Sequence, residues 1–171
     1  MQQKDRLIEL LRAVVAARDK LQGRRVPLLV KVAPDLDEHQ IRDIAEAALE
    51  TRIDGIIATN TTITRPAELR SAAKVESGGL SGRPLFSLST RILGELYKAT
   101  GGTVTLIGVG GISSGADAYE KIKAGASLLQ LYSMMVYRGP GLVAEIKRDL
   151  IARLKADGFA AIAEAVGTAH R

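Results

Sequence analysis

A lysine stands inside the apolar run Leu28-Leu29-Val30-Lys31-Val32, which Pro27 introduces and Pro34 stops. A buried ammonium is costly unless a partner offsets its desolvation, and a cofactor oxygen or an anionic ring nitrogen would be such a partner. Two other readings stay open. Lys31 could face solvent or pair with Asp35, or it could be a desolvated nucleophile that forms a Schiff base with an aldehyde or ketone. Further along, Thr59-Asn60-Thr61-Thr62 sets four polar side chains together. They can donate to and accept from a planar, amide-containing ring, although such a run is also ordinary turn chemistry. Gly108-Val109-Gly110-Gly111 precedes Ser113 and Ser114. Glycines let a backbone turn closely under a ligand, and the free N–H groups of a following helix attract phosphate. Tyr132-Ser133 sits at the corresponding place one unit later, so the two turns together point to phosphate. The loop Ser77-Gly78-Gly79-Leu80-Ser81-Gly82-Arg83-Pro84 either links flexibly or packs its backbone against a flat cofactor.

Other chemistries find little support. His39 falls in the first turn of a surface helix and His170 near the terminus, so neither is a convincing base. Asp35 and Asp37 read as turn and cap. Acidic residues at metal-ligand spacing are not evident, and the absence of cysteine excludes disulfides and thiolate metal sites. Redox chemistry would therefore need a bound cofactor.

The elements that position these residues follow from apolar spacing. Leu7, Ile8, Leu10, Leu11, Val14 and Val15 predict an amphipathic helix ending near Gly23. The run 28–32, rich in β-branched residues, predicts a strand covered on both faces, as in a parallel sheet. Asp37 caps a helix whose buried stripe is Ile41, Ile44, Ala48 and Leu49, with Gln40 completing the capping pattern. A strand at 55–59, a helix through Leu88, Ile92, Leu93 and Leu96, and a strand at 104–109 come next. Ser114 and Asp117 then open a helix through Ile122, and a strand spans 127–131. A long helix carries Leu142, Val143, Ile146, Leu150 and Leu154, and a short one spans 159–166. Alternating strand and helix is the signature of βαβ units, and the polar motifs fall at the C-terminal ends of the strands, where barrel enzymes carry their sites. The segment from Thr61 to Pro84 is too long for a simple connection and is a candidate functional loop.

The 171 residues are 46% hydrophobic and 25% charged, enough for one sizeable core. The net charge of +5 is spread over 24 basic and 19 acidic residues with only 4% aromatics, which argues against nucleic acid and for a bias toward anionic ligands. No apolar run reaches the roughly 20 residues that span a bilayer, and the first residues are too charged for a secretory signal. Four strands can be counted, whereas a closed (β/α)₈ barrel needs eight and typically about 250 residues, so the chain is expected to be truncated at its N-terminus.

Val30-Lys31-Val32-Ala33-Pro34-Asp35-Leu36, Thr59-Asn60-Thr61-Thr62, Gly78 to Leu85, Ile107 to Gly115 and Ala124 to Ser133 occur in an order that resembles the dihydroorotate dehydrogenases. The step from Gly82 to Arg83-Pro84-Leu85, with Leu131-Tyr132-Ser133, resembles their membrane-associated, quinone-using class. The resemblance implies an α/β TIM barrel of which residues 1–171 are the C-terminal half. It also implies flavin mononucleotide (FMN) as cofactor and oxidation of dihydroorotate to orotate in pyrimidine biosynthesis, with a quinone as electron acceptor. Carried over residue by residue, Lys31 would meet the flavin pyrimidine edge and Thr59 would line the flavin. Ser81 and Gly82 would back it, and Gly110, Gly111, Tyr132 and Ser133 would bind its phosphate. Asn60 and Thr61 would hold the substrate. The serine that serves this class as base and the membrane-associating helices have no counterpart here, so no catalytic residue is assigned. A whole family member would be peripheral to the inner (cytoplasmic) membrane, and this chain would be cytoplasmic. Its exposed sheet edges would be covered by the missing N-terminal half or by another copy. An inactive structural half-barrel remains an alternative, beside the Schiff-base enzyme.

Overall fold

A computed structural model describes residues 2–171. Helix α1 (Gln2–Asp19) leads to β1 (Leu29–Val32), α2 (Glu38–Thr51), β2 (Gly55–Ala58), α3 (Phe86–Ala99), β3 (Thr105–Val109), α4 (Gly115–Lys123) and β4 (Leu128–Gln130). Helices α5 (Ser133–Arg138), α6 (Gly141–Ala156) and α7 (Ile162–Ala165) follow. The four strands pair in sequence order, all parallel, with Leu29 opposite Gly55, Gly55 opposite Thr105, and Ile107 opposite Leu128. This is a partial (β/α) barrel.

Caps set the helix starts. At α2 the Asp37 carboxylate accepts the Gln40 amide at 2.8 Å, while the Gln40 side chain accepts the Asp37 amide at 3.0 Å. Two donors that no intrahelical carbonyl could reach are thereby satisfied. At α4 the Ser114 hydroxyl accepts the Asp117 amide at 3.2 Å.

Side chains alternate across each strand. Val32, Ile56, Ala58 and Leu106 point toward Ile41 and Ala48 of α2 and Ile92, Leu93 and Leu96 of α3, and Ile8 and Leu11 of α1 join the same core. A second core unites Ile122 of α4 with Leu142, Ile146 and Leu150 of α6. The opposite face of the sheet carries Lys31, Thr105, Leu128 and Gln130, all exposed, Leu128 at 59%. The expectation of strands covered on both faces is therefore corrected. Sequential parallel crossovers lay the core helices on one side of the sheet, so most of the other face stays open, with Ile107 the buried exception on it. Other expectations shift less. Helix α1 ends at Asp19, ahead of Gly23. Leu49 is 43% exposed, because it falls beside the buried stripe of Ile41, Ala45 and Ala48. Ser133 opens the short helix α5, whose six residues are too few to show a period.

At the opposite end of the sheet from the polar motifs, the Asp54 carboxylate accepts the Leu28 amide at 2.7 Å and pairs with Arg18 at 2.8 Å and Arg25 at 2.6 Å. It ties α1 and the start of β1 to the turn before β2. The Leu28 amide, helped by Arg25 and Arg18 against the opposing push of desolvation, holds this carboxyl below its ordinary value. Asp54→Ala is expected to lower folding stability by about 1–3 kcal/mol, read by denaturant melting, because it leaves the Leu28 amide without its acceptor. The depressed folded-state pKa fixes the sign with pH. The contribution is complete above the ordinary aspartate range, near pH 4, and is lost as pH falls through the lower folded value. The gap between wild type and variant should accordingly narrow in acid.

Candidate functional site

The C-terminal ends of the four strands surround one pocket of about 530 Å³, within the size range of small-molecule sites. Lys31, Thr59, Asn60, Thr61, Ser81, Gly82, Gly110, Gly111, Tyr132 and Ser133 all line it. The structure thus brings every expected site residue to a single concavity. Arg83, Leu85 and Val109 of the same motifs line it too, as do Gln130, Met134 and Tyr137, to which the sequence reading gave no role. Gln130 lies on the bare sheet face, two residues from Leu128; a polar side chain in that strand was the available signal.

Lys31 corrects its expectation. It is exposed, because it projects from the uncovered face, and no ion pair joins it to Asp35 among the described residues. The desolvated lysine on which a Schiff-base reading depends is therefore not found at this position. Asp35 instead accepts from the Thr64 hydroxyl at 2.8 Å, the Ile63 amide at 3.2 Å and the Thr62 hydroxyl. Desolvation pushes this carboxyl up, but the Thr62 and Thr64 hydroxyls and the Ile63 and Thr64 amides outweigh it and hold the carboxyl below its ordinary value. Asp35 is thus an anchor for the loop after β2 and more than a turn former.

Within that loop the Asn60 side-chain oxygen accepts the Thr61 amide at 2.9 Å, and the Thr59 hydroxyl donates to the Asn60 carbonyl at 2.9 Å. These bonds leave the Asn60 NH₂ group free to donate to a ligand. The long segment to Pro84 folds back as a bridge pairs Thr62 with Leu80. Arg65 clamps the fold by donating to the carbonyls of Lys74 at 3.1 Å, Glu76 at 3.0 Å and Gly78 at 2.8 Å. Ser81 then reaches the pocket, where its hydroxyl meets that of Ser133 at 3.0 Å.

The glycine turn is built for close approach. Gly111 has φ +73°, and a Cβ there would lie 2.7 Å from Phe86 Cα, so no larger residue fits without displacing the first turn of α3. The amides of Gly111 and Ser133 donate to no protein acceptor among the described residues. One expected donor is corrected. The Ser113 amide and hydroxyl are taken by the Asp117 carboxylate at 2.9 and 2.6 Å, so these two donors are not open to a ligand. Lys31 and Arg83 supply positive charge to the pocket, and no carboxylate or imidazole lines it. His39 pairs with Asp43 on α2, and His170 stacks on Tyr97; neither lines the pocket. No group of three or more His, Cys, Asp or Glu side chains able to hold a metal occurs among the described residues.

Residues 1–154 match the family model for dihydroorotate dehydrogenase. The chain belongs to the dihydroorotate dehydrogenase family. It is 65% identical to the dihydroorotate dehydrogenase (quinone) of Xanthobacter autotrophicus over 143 residues, 84% of this chain and 40% of that protein. It is 51% identical to the mitochondrial dihydroorotate dehydrogenase (quinone) of Mus musculus over 172 residues, 100% of this chain and 44% of that protein. The crystal structure of the ligand-free Eimeria tenella enzyme superposes with a TM-score of 0.94 at 44% identity, covering 98% of this chain and 50% of that one. A ferulenol complex of the Eimeria tenella enzyme gives the same TM-score at 43% identity. The chain spans about half the length, or less, of these relatives. No helix among the described residues is long and apolar enough to cross a membrane.

Two side chains hold the pocket wall on which Asn60 and Ser81 stand. Asp35→Ala and Arg65→Ala are each expected to loosen residues 61–82. The check is limited proteolysis with hydrogen exchange: faster cleavage and exchange in that segment, with the sheet protected as in wild type.

Proposed function

We propose that this chain forms the FMN-holding wall, and part of the substrate wall, of a quinone-linked dihydroorotate dehydrogenase. The carrying observation is the convergence of a cationic strand residue, an oriented asparagine and two open backbone amides on one pocket that contains no acidic group. Such a set suits a flat, phosphorylated ring system. Bound there, FMN would supply a hydride acceptor that passes electrons to a quinone. Everything else asked of these residues is binding and electrostatics.

Gly111 and Ser133 would direct their amides at the flavin phosphate beside Gly110 and Tyr132, and Ser81 and Gly82 would back the cofactor across the pocket. Thr59, 1% exposed with its hydroxyl already committed to Asn60, would offer a packed surface to the ring. Lys31 would sit at the pyrimidine edge, where a fixed ammonium stabilises the negative charge that reduction brings. Asn60, its oxygen held by Thr61, would donate through its NH₂ group to a carbonyl of dihydroorotate, with Thr61 alongside. Proton abstraction from the substrate would fall to the serine that serves this class as base, which has no counterpart among these 171 residues. In this reading residues 1–171 are the C-terminal half of the barrel, and its remaining strands cover the bare sheet face. That other part would also carry the segments that associate with the inner membrane.

Equilibrium titration with FMN, followed by flavin fluorescence, tests the proposal. The chain is expected to bind one FMN, with dihydroorotate bleaching the bound flavin only after the rest of the barrel is added. Absence of flavin binding would sink it. In the complete enzyme, Lys31→Ala is expected to weaken flavin retention or slow flavin reduction by about tenfold or more, as removal of one charge-stabilising contact does. His39→Ala, on a solvated helix surface, should change neither.

A further inference from the structure

Lys121, in the last turn of α4, is 0% exposed. Its ammonium donates to the Ser89 hydroxyl at 2.8 Å and the Thr90 hydroxyl at 2.9 Å, and lies 4.9 Å from the centre of the Phe86 ring. No carboxylate pairs with it among the described residues; Glu120 and Asp117 of its own helix act on it only through space. This is an expensive arrangement. A buried cation wants a counter-charge, and this one also lies against the first turn of α3, where the helix dipole is positive. A leucine or methionine would pack α4 against α3 without either cost.

The surroundings indicate where the counter-charge belongs. The Lys121 stem runs beneath the end of β3, so that a Cβ on Gly108 would lie 3.2 Å from its Cδ. Ser89, which accepts from the ammonium, has its Oγ 3.3 Å from the Gly110 carbonyl oxygen and 3.0 Å from that of Phe86. Gly111 in turn packs on the Phe86 backbone. The ammonium is therefore enclosed directly behind the glycine turn, one hydroxyl away from its backbone.

We propose that Lys121 is the buried counter-charge of the anion held in the Gly110–Gly111 turn, a positioning residue acting through Ser89 and the turn without touching the ligand. The proposal rests on the flavin-phosphate reading of the pocket and adds to it a charge on the far side of the backbone. Burial lowers Lys121 to about 7, with Glu120 and Asp117 opposing the shift. From α3 it faces Ser89, Thr90 and Phe86, and from β3 Gly108, none of which titrates. A dianion bound in front of the turn raises the affinity of this site for a proton, so binding above pH 7 takes a proton up.

Wild type and Lys121→Met are titrated with FMN and with riboflavin, which lacks the phosphate. Wild type is expected to prefer FMN, and Lys121→Met to lose about tenfold of that preference while its riboflavin affinity holds within about twofold. An unchanged preference in a variant that binds both flavins overturns this inference alone. A wild-type chain that binds neither flavin overturns the flavin reading and the inference with it. Should Lys121→Met not fold, calorimetry of wild type at pH 8 in buffers of different ionisation enthalpy decides. At that pH the phosphate is already dianionic, and uptake of about half a proton or more is expected with FMN but not with riboflavin. Equal uptake for the two flavins overturns the proposal.

Discussion

Three consecutive parallel crossovers that place their helices on the same side of one sheet are the constraint from which the rest of this structure follows. Because the helices bury Val32, Ile56, Ala58 and Leu106 from one face only, the alternate side chains Lys31, Thr105, Leu128 and Gln130 have no cover from these residues. Parallel strands also run in one direction, so all four end at the same rim. The loops that leave this rim carry the threonines, glycines and serines of the pocket. The location of the site is thus a consequence of strand direction, and its polarity is a consequence of loop composition.

How far the sequence disclosed this depended on the range of the interaction involved. Element order, the Asp37 and Ser114 caps and the convergence of the strand-end motifs were legible, because they depend on local spacing and on the regular geometry of βαβ units. The burial of single side chains was not. Lys31, set between valines, reads as buried, yet alternation puts it on the face that no helix covers. Lys121, in Tyr119-Glu120-Lys121-Ile122-Lys123, reads as an ordinary cation near a helix end, yet it is enclosed by Phe86, Ser89 and Thr90 more than thirty residues away. Asp35 likewise looks like turn chemistry until the loop after β2 folds back onto it. Each of these assignments depends on a tertiary contact that no local pattern encodes.

The pocket and the helical layer behind it are joined electrostatically at the glycine turn. In front, Lys31 and Arg83 face open space with two unpartnered amides. Behind, Lys121 lies in a low-dielectric layer where its field is screened far less than that of a surface lysine. Asp117 of the same helix is turned to the Ser113 amide and hydroxyl and acts on Lys121 only through space. Lysine side chains therefore lie on both sides of one backbone layer. Only glycines make that layer thin enough, since any Cβ at Gly111 would collide with the backbone of Phe86.

A pocket with this composition binds and polarises but has little capacity to accept a proton. Its hydroxyls, such as Ser81 and Ser133, bond to each other and lie near no carboxylate or imidazole that could activate them. Its cations favour negative charge, which lowers the energy of an electron-rich ring and would raise that of a protonated base placed beside them. The two halves of an oxidation by hydride removal make opposite demands on their surroundings: the acceptor needs positive potential, and the base needs a site where gaining a proton is not opposed. Under the proposed function, placing the base apart from the acceptor would meet both demands, and the side built by these four strand ends would suit the acceptor.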